Sequence, residues 1–153
     1  MDRPVRIYLA GSWRLAPTIL DYARYLRRFP EFDVDAFCDH MQDIDPITAL
    51  RHPTVGPMFR QAFAEDKKKL DWSDCIIMMQ PCGNSSHMEG GYARGAGKHL
   101  FIYWMSDPIP ETFDNMYQFA DKLFYPNQLF DLVQTLKDLH LLARIPQERW
   151  TGC

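Results

Sequence analysis

Short apolar runs alternate with longer amphipathic stretches about five times along this chain, and few architectures accept that order of elements. "VRIYLAG", "FDVDAF", "DCIIMMQP", "HLFIYW" and "DKLFY" read as strands, the last as an edge strand. The run "CIIMM" is apolar without interruption, as a strand covered on both faces must be. Between the strands, "APTILDYARYLRRF" carries Ile19, Leu20, Tyr22, Ala23, Leu26 and Phe29 at helical spacing. "MFRQAFAEDKKKLDWS", "HMEGGYARGAGKH", "PETFDNMYQFA" and "PNQLFDLVQTLKDLHLLARI" supply further helices. Alternation of this kind predicts a single α/β domain over 1–153, a three-layer sandwich with a five-stranded, mostly parallel sheet of flavodoxin or Rossmann type. Ligands of such folds bind beyond the carboxyl ends of the strands, here after Leu9, Phe37, Met79 and Trp104.

Composition narrows the partners. A net charge of -3 and a pI near 5.9 argue against a nucleic-acid surface, which needs clustered Lys and Arg. The one basic run, Lys67 to Lys69, reads as a solvated helix face. No run is long and apolar enough for a signal peptide or a membrane span. Cys38, Cys75, Cys82 and Cys153 have no framework spacing, so reduced thiols in the cytoplasm are expected. A zinc site from Cys75, Cys82 and His87 would lack the spacing of a compact knuckle, and neither metal nor cofactor is expected.

Several motifs fail on inspection. "GAGKH" has Tyr92 where a P-loop needs glycine and His99 where it needs Ser or Thr. "AGSW" offers one glycine and no dinucleotide fingerprint. Ser12, Ser85 and Ser86 lack the flanking glycines of a nucleophile elbow.

Glu89 admits two readings. "SHME" has the form of a capping box, with Ser86 as N-cap and Glu89 closing the first turn. The same placement would hold an ionised carboxylate facing the ligand crevice, which is what a nucleophile at an electron-poor sugar carbon requires. The small residues after it (Gly90, Gly91, Ala93, Gly95, Ala96, Gly97) weaken a helix, and fit a backbone that packs closely on the sheet or meets a ligand.

Three segments together resemble the nucleoside 2-deoxyribosyltransferase superfamily, which includes the 2'-deoxynucleoside 5'-phosphate N-hydrolases. They are "IYLAGSW" (7–13), "EDKKKLDWSDCII" with Asp66 eight residues before Asp74, and "MEGGYARGAGK", similar to the family's E-x-G-Y-A-x-x-x-G-K helix. The likeness spans roughly residues 5 to 105 and implies cleavage of an N-glycosidic bond of a nucleoside or its 5'-monophosphate. Glu89 would then be the nucleophile at C1', Tyr8 its orienting hydroxyl and Asp66 the acid/base partner. The turn Gly11, Ser12, Trp13, Arg14 and the helix start Asn84, Ser85, Ser86 would meet substrate, with Ser12, Arg14 and the serines toward a 5'-phosphate. Gly83 stands where the transferases carry a sugar-holding aspartate, which leaves room for that phosphate.

His87, two residues before Glu89, would either contact substrate or simply cap the helix. The polar stretch 38–57, with Asp39, His40 and Asp43, is the expected nucleobase side. The resemblance also implies a homodimer or larger assembly, for which Phe130, Leu132 and Val133 offer apolar helix surface, although packing on the sheet competes for them. A non-catalytic nucleotide-binding module of the same fold, with Glu89 only a cap, is the rival reading. A glycosidase acting on a dinucleotide such as NAD is a third.

Overall fold

The computed structural model describes residues 3–39, 55–106 and 115–142, with side chains omitted at 55–59 and 142. Five strands, β1 (Val5–Ala10), β2 (Phe32–Ala36), β3 (Cys75–Gln80), β4 (His99–Trp104) and β5 (Lys122–Phe124), form one sheet in the order β2-β1-β3-β4-β5. Every pairing is parallel, so the expected class stands and "mostly" can be dropped. Among the described residues four α-helices cover it: α1 (Ala16–Leu26), α2 (Val55–Trp72), α3 (Asn84–Gly95) and α4 (Leu129–Leu142). The segment "PETFDNMYQFA" contributes a 3-10 turn over Asn115–Phe119; its first residues lie outside the described part.

Register decides which helix lies on which face. Tyr8 pairs with Asp35 and with Ile76, and Ile76 with Leu100, so these four side chains share one face. Leu100 meets α3, and Lys69 of α2 reaches Asp35, so α2 and α3 occupy that face. Tyr103, of opposite parity, packs edge-on against Tyr22 of α1 at 5.3 Å, while Leu132, Val133 and Leu136 of α4 join the core. Of the three α4 side chains expected as contact surface, Leu132 and Val133 are therefore buried; Phe130 is exposed.

β3 is buried at all six positions, as a central strand with helices above and below should be. Each fully buried Ile or Leu gains roughly 1.5–3 kcal/mol from leaving water. That exceeds the cost, about 1 kcal/mol each, of the interior glycines of α3. α3 turns only small side chains, Ser86, Gly90 and Ala93, fully inward. A Cβ at Gly90 would stand 3.3 Å from Leu100 Cδ1 and 3.7 Å from Met78 Sδ. Glycine there lets α3 settle close to the sheet, which brings the neighbouring Glu89 down with it.

β1 leads to β2 on one side and to β3 on the other. The chain thus reverses direction across the sheet at β1 and β3, and the crevice of a doubly wound fold opens at their carboxyl ends.

Candidate active site

Tyr8 sits in the upper half of β1 with no solvent exposure. Its hydroxyl donates a long hydrogen bond, 3.4 Å, to Asp66 Oδ1 on α2. Glu89, on α3 across the same face, is half-buried and near enough that its charge acts on both. Residues 8, 66 and 89 are far apart in the chain, and the parallel topology draws them to one place. Burial, and then the adjacent Asp66 carboxylate, push the Glu89 carboxyl up to about 7. Burial likewise drives the Tyr8 hydroxyl well above its ordinary range, helped by Glu89 and Asp66, so it stays a hydrogen-bond donor.

Two expectations about Glu89 need correction. α3 begins at Asn84 with Gly83 as its N-cap, so Ser86 lies inside the first turn and Glu89 in the second. No capping box forms, and no acid lies in the first turn. Nor is the carboxyl held ionised by the helix end: desolvation and Asp66 favour the protonated form. Among the described residues the Glu89 carboxyl makes no hydrogen bond.

The turn after β1 carries Gly11, Ser12, Trp13 and Arg14. Ser12 Oγ accepts from Arg14 N at 3.4 Å and starts a 3-10 turn over Trp13–Leu15. Trp13 is partly exposed, its ring edge-on to Phe37 at 4.9 Å, an aromatic wall at the ends of β1 and β2. The side chain of Arg14 is exposed. A Cβ at Gly11 would lie 2.3 Å from Ile19 Cδ1, so any larger residue here must displace that side chain of α1.

At the start of α3, Asn84 and Ser85 are exposed. Ser86 is not: it is 1% exposed and lies near enough to Cys82 to act on its thiol. Asp39 closes the turn after β2, accepting from Ala36 N at 2.7 Å and pairing with Arg27. Burial opposes its charge, yet Arg27 and the amide hold its pKa below the usual carboxylate range; that carboxylate serves the turn. His40 and Asp43 lie outside the described residues.

His87 acquires a structural account. Gln80 Oε1 accepts from Cys82 N at 2.9 Å, which fixes the amide so that Nε2 donates to the Tyr117 hydroxyl, also at 2.9 Å. The Gly83 carbonyl, 2.8 Å from His87 Nδ1, can only accept, so Nδ1 carries the proton. Nε2 then accepts from Tyr117 at 3.0 Å, with the two rings stacked. This chain ties the first turn of α3 to the 3-10 turn near β5. Sequence reading missed Gln80 and Tyr117; the signal available was one amide ending an otherwise apolar strand.

Only part of the basic run is a solvated face. Lys67 pairs with Asp71 at 2.6 Å and lies over the Tyr92 ring, and Lys68 is exposed, but Lys69 is buried. The lysine of "GAGK", Lys98, donates to the carbonyls of Asp71 (2.9 Å) and Ser73, capping α2. Among the described residues no group of three could hold a metal ion, and no helix is long and apolar enough to cross a membrane. Cys82 Sγ is 3.8 Å from His87 Nδ1, whereas Cys75 lies buried at the opposite end of β3.

No protein-family model and no curated protein matches the sequence. Solved structures do. A CMP N-glycosidase of Clostridium botulinum, BcmB, aligns with a TM-score of 0.52 over 86% of this chain and 98% of its own, at 16% identity. The likeness is one of fold. The SEFIR domain of IL-17 receptor B aligns with a TM-score of 0.56 over 90% of this chain and 98% of its own, at 7% identity. One architecture thus accompanies a glycosidase and a receptor domain, and activity must be argued from side chains.

Proposed function

We propose that this protein cleaves the N-glycosidic bond of a 2'-deoxynucleoside or nucleoside, or of its 5'-monophosphate. The observation that carries the reading is the convergence of Tyr8, Asp66 and Glu89 on one face of the sheet beside the β1/β3 crevice. Likeness of fold to a CMP N-glycosidase agrees with it.

The raised Glu89 carboxyl fits the chemistry when the two acids act as one unit holding a single proton. Glu89 passes its proton to Asp66 and attacks C1'. The bond from C1' to the base breaks, and the base leaves with the proton from Asp66. Water, or a second nucleobase, then opens the sugar ester, and its proton returns to the pair. Tyr8 donates a hydrogen bond to whichever carboxylate carries charge. The Trp13–Phe37 wall offers a face on which a base can stack. Ser12, Arg14, Ser85 and the free amides of the first turn of α3 supply donors for a phosphate. At Gly83 a side chain would meet nothing within 4 Å, so the space that a carboxylate would fill is open.

Incubation with deoxynucleosides, their 5'-monophosphates and NAD, followed by chromatography for free base, tests the reading. Base release is expected, and in Glu89→Ala it falls by about a thousandfold or more with the fold retained. Tight binding of a nucleotide without turnover would instead favour a sensor, and release of nicotinamide alone a dinucleotide glycosidase.

A further inference from the structure

We infer that the ion pair between the buried Lys69 and the part-exposed Asp35 is a positioning brace that sets Asp66 against Tyr8 and Glu89; its catalytic consequence rests on the glycosidase reading above. Asp66 and Lys69 stand one turn apart on α2 and so share a helix face. Their side chains land on two neighbouring strands, at positions that are register partners. Asp66 receives the Tyr8 hydroxyl at 3.4 Å, and Lys69 Nζ lies 3.1 Å from Asp35 Oδ1, with Tyr8 paired to Asp35 across β1 and β2. The ammonium also donates to the Ala36 carbonyl at 3.4 Å. Two tethers, one helical turn apart, thus fix both the slide and the rotation of α2 over this pair of strands.

Lys69 is 6% exposed, and taking an ammonium out of water costs several kcal/mol unless it is paired. A pair of that kind adds little stability over apolar packing of the same volume, but it tolerates only one arrangement. The contact from Tyr8 to Asp66 is long, so where α2 lies over the strands decides how well the two groups meet. Lys69 touches neither of the reacting carboxyls, so it is a positioning residue and not a catalytic one.

The double variant Asp35→Asn/Lys69→Met tests the brace, since it removes both charges and leaves neither one unpaired. A cooperative thermal melt is expected. kcat for base release should fall by about tenfold or more while KM stays within about twofold. The Glu89 titration midpoint, followed by NMR on glutamate carrying 13C in the carboxyl, should move down from about 7 as Asp66 stands further off. Adding Asp66→Asn to the double variant should cost much less than the same change in the otherwise unaltered protein, because both act through one group.

A kcat within about twofold, with an unmoved midpoint, overturns the inference; so do losses that simply multiply. If the double variant does not fold, Lys69→Met alone removes the tether and leaves the part-exposed Asp35 carboxylate in reach of water, and it is read in the same way. The NMR midpoint does not depend on turnover. Should the unaltered protein release no base, the glycosidase reading falls, while a shifted midpoint upholds the brace and an unmoved one removes it.

Discussion

At pH 8 the Glu89 carboxyl is an ionised group in a place that favours its neutral form. Its folded pKa, about 7, lies above the ordinary carboxyl value of the unfolded chain. The unfolded state therefore binds fewer protons between the two values, and stability falls as pH rises through that interval. The contribution is on the order of 1–2 kcal/mol after solvent screening. Glu89→Gln removes the burden: it should melt higher than the unaltered protein at pH 8 and at nearly the same temperature at pH 4, while losing base release. Equal melting temperatures at both pH values would show that the carboxyl is not desolvated. For turnover the sign is the same, since the acid pair must keep one proton. Base release should decline as pH rises through about 7, read from a pH profile of kcat. Much of this site could be read from sequence, because Tyr8, Asp66 and Glu89 stand in recognisable segments. The Lys69–Asp35 pair could not, since residues on β2 and α2 meet only through strand register.

Helix ends and close approaches set where those side chains point. Gly11→Ala drives a methyl into Ile19 Cδ1, which is fully buried, and should destabilise by about 1–3 kcal/mol in urea unfolding. Ile19→Val removes the clashing atom and should recover part of that loss in the double variant. α3 ends in a Schellman motif: Lys98 N bonds Ala93 O, Gly97 N bonds Arg94 O, and Gly97 has φ +76. Gly97→Ala should therefore cost about 1 kcal/mol although the side chain would meet open space. The strands were readable because burial on both faces demands an unbroken apolar run, as in Cys75 to Met79. The start of α3 was not. Ser86 has the chemistry of a cap, yet the helix had already begun at Asn84, and the serine was used against Cys82 instead. Local pattern gives candidates for a cap, and packing on the sheet selects among them.

The acid groups of the domain pull its pH dependence in two directions. Asp74 is held below the ordinary range, because a bidentate Arg3 contact and the Arg6 amide outweigh its burial. Its share of stability is present above the unfolded pKa and is lost as pH falls through the lower, folded value. Glu89 works in the opposite sense at higher pH. Together they place the stability maximum on the mildly acidic side, and thermal melts across pH 3 to 9 should show it, shifted toward neutrality in Glu89→Gln. A maximum at or above pH 8 in the unaltered protein would contradict the Glu89 assignment, and stability that does not fall toward pH 3 would contradict that of Asp74.

The two margins of the sheet have a consequence for how copies of this chain can meet. Along one margin runs β2, with Asp33 exposed and Asp35 part-exposed; along the other runs β5, three residues long and opened by Lys122. Charged, abbreviated borders are poor templates for continuing a ladder from one molecule into the next. Growth into fibres by lateral strand addition is thereby discouraged, and any self-association is left to the helical surfaces.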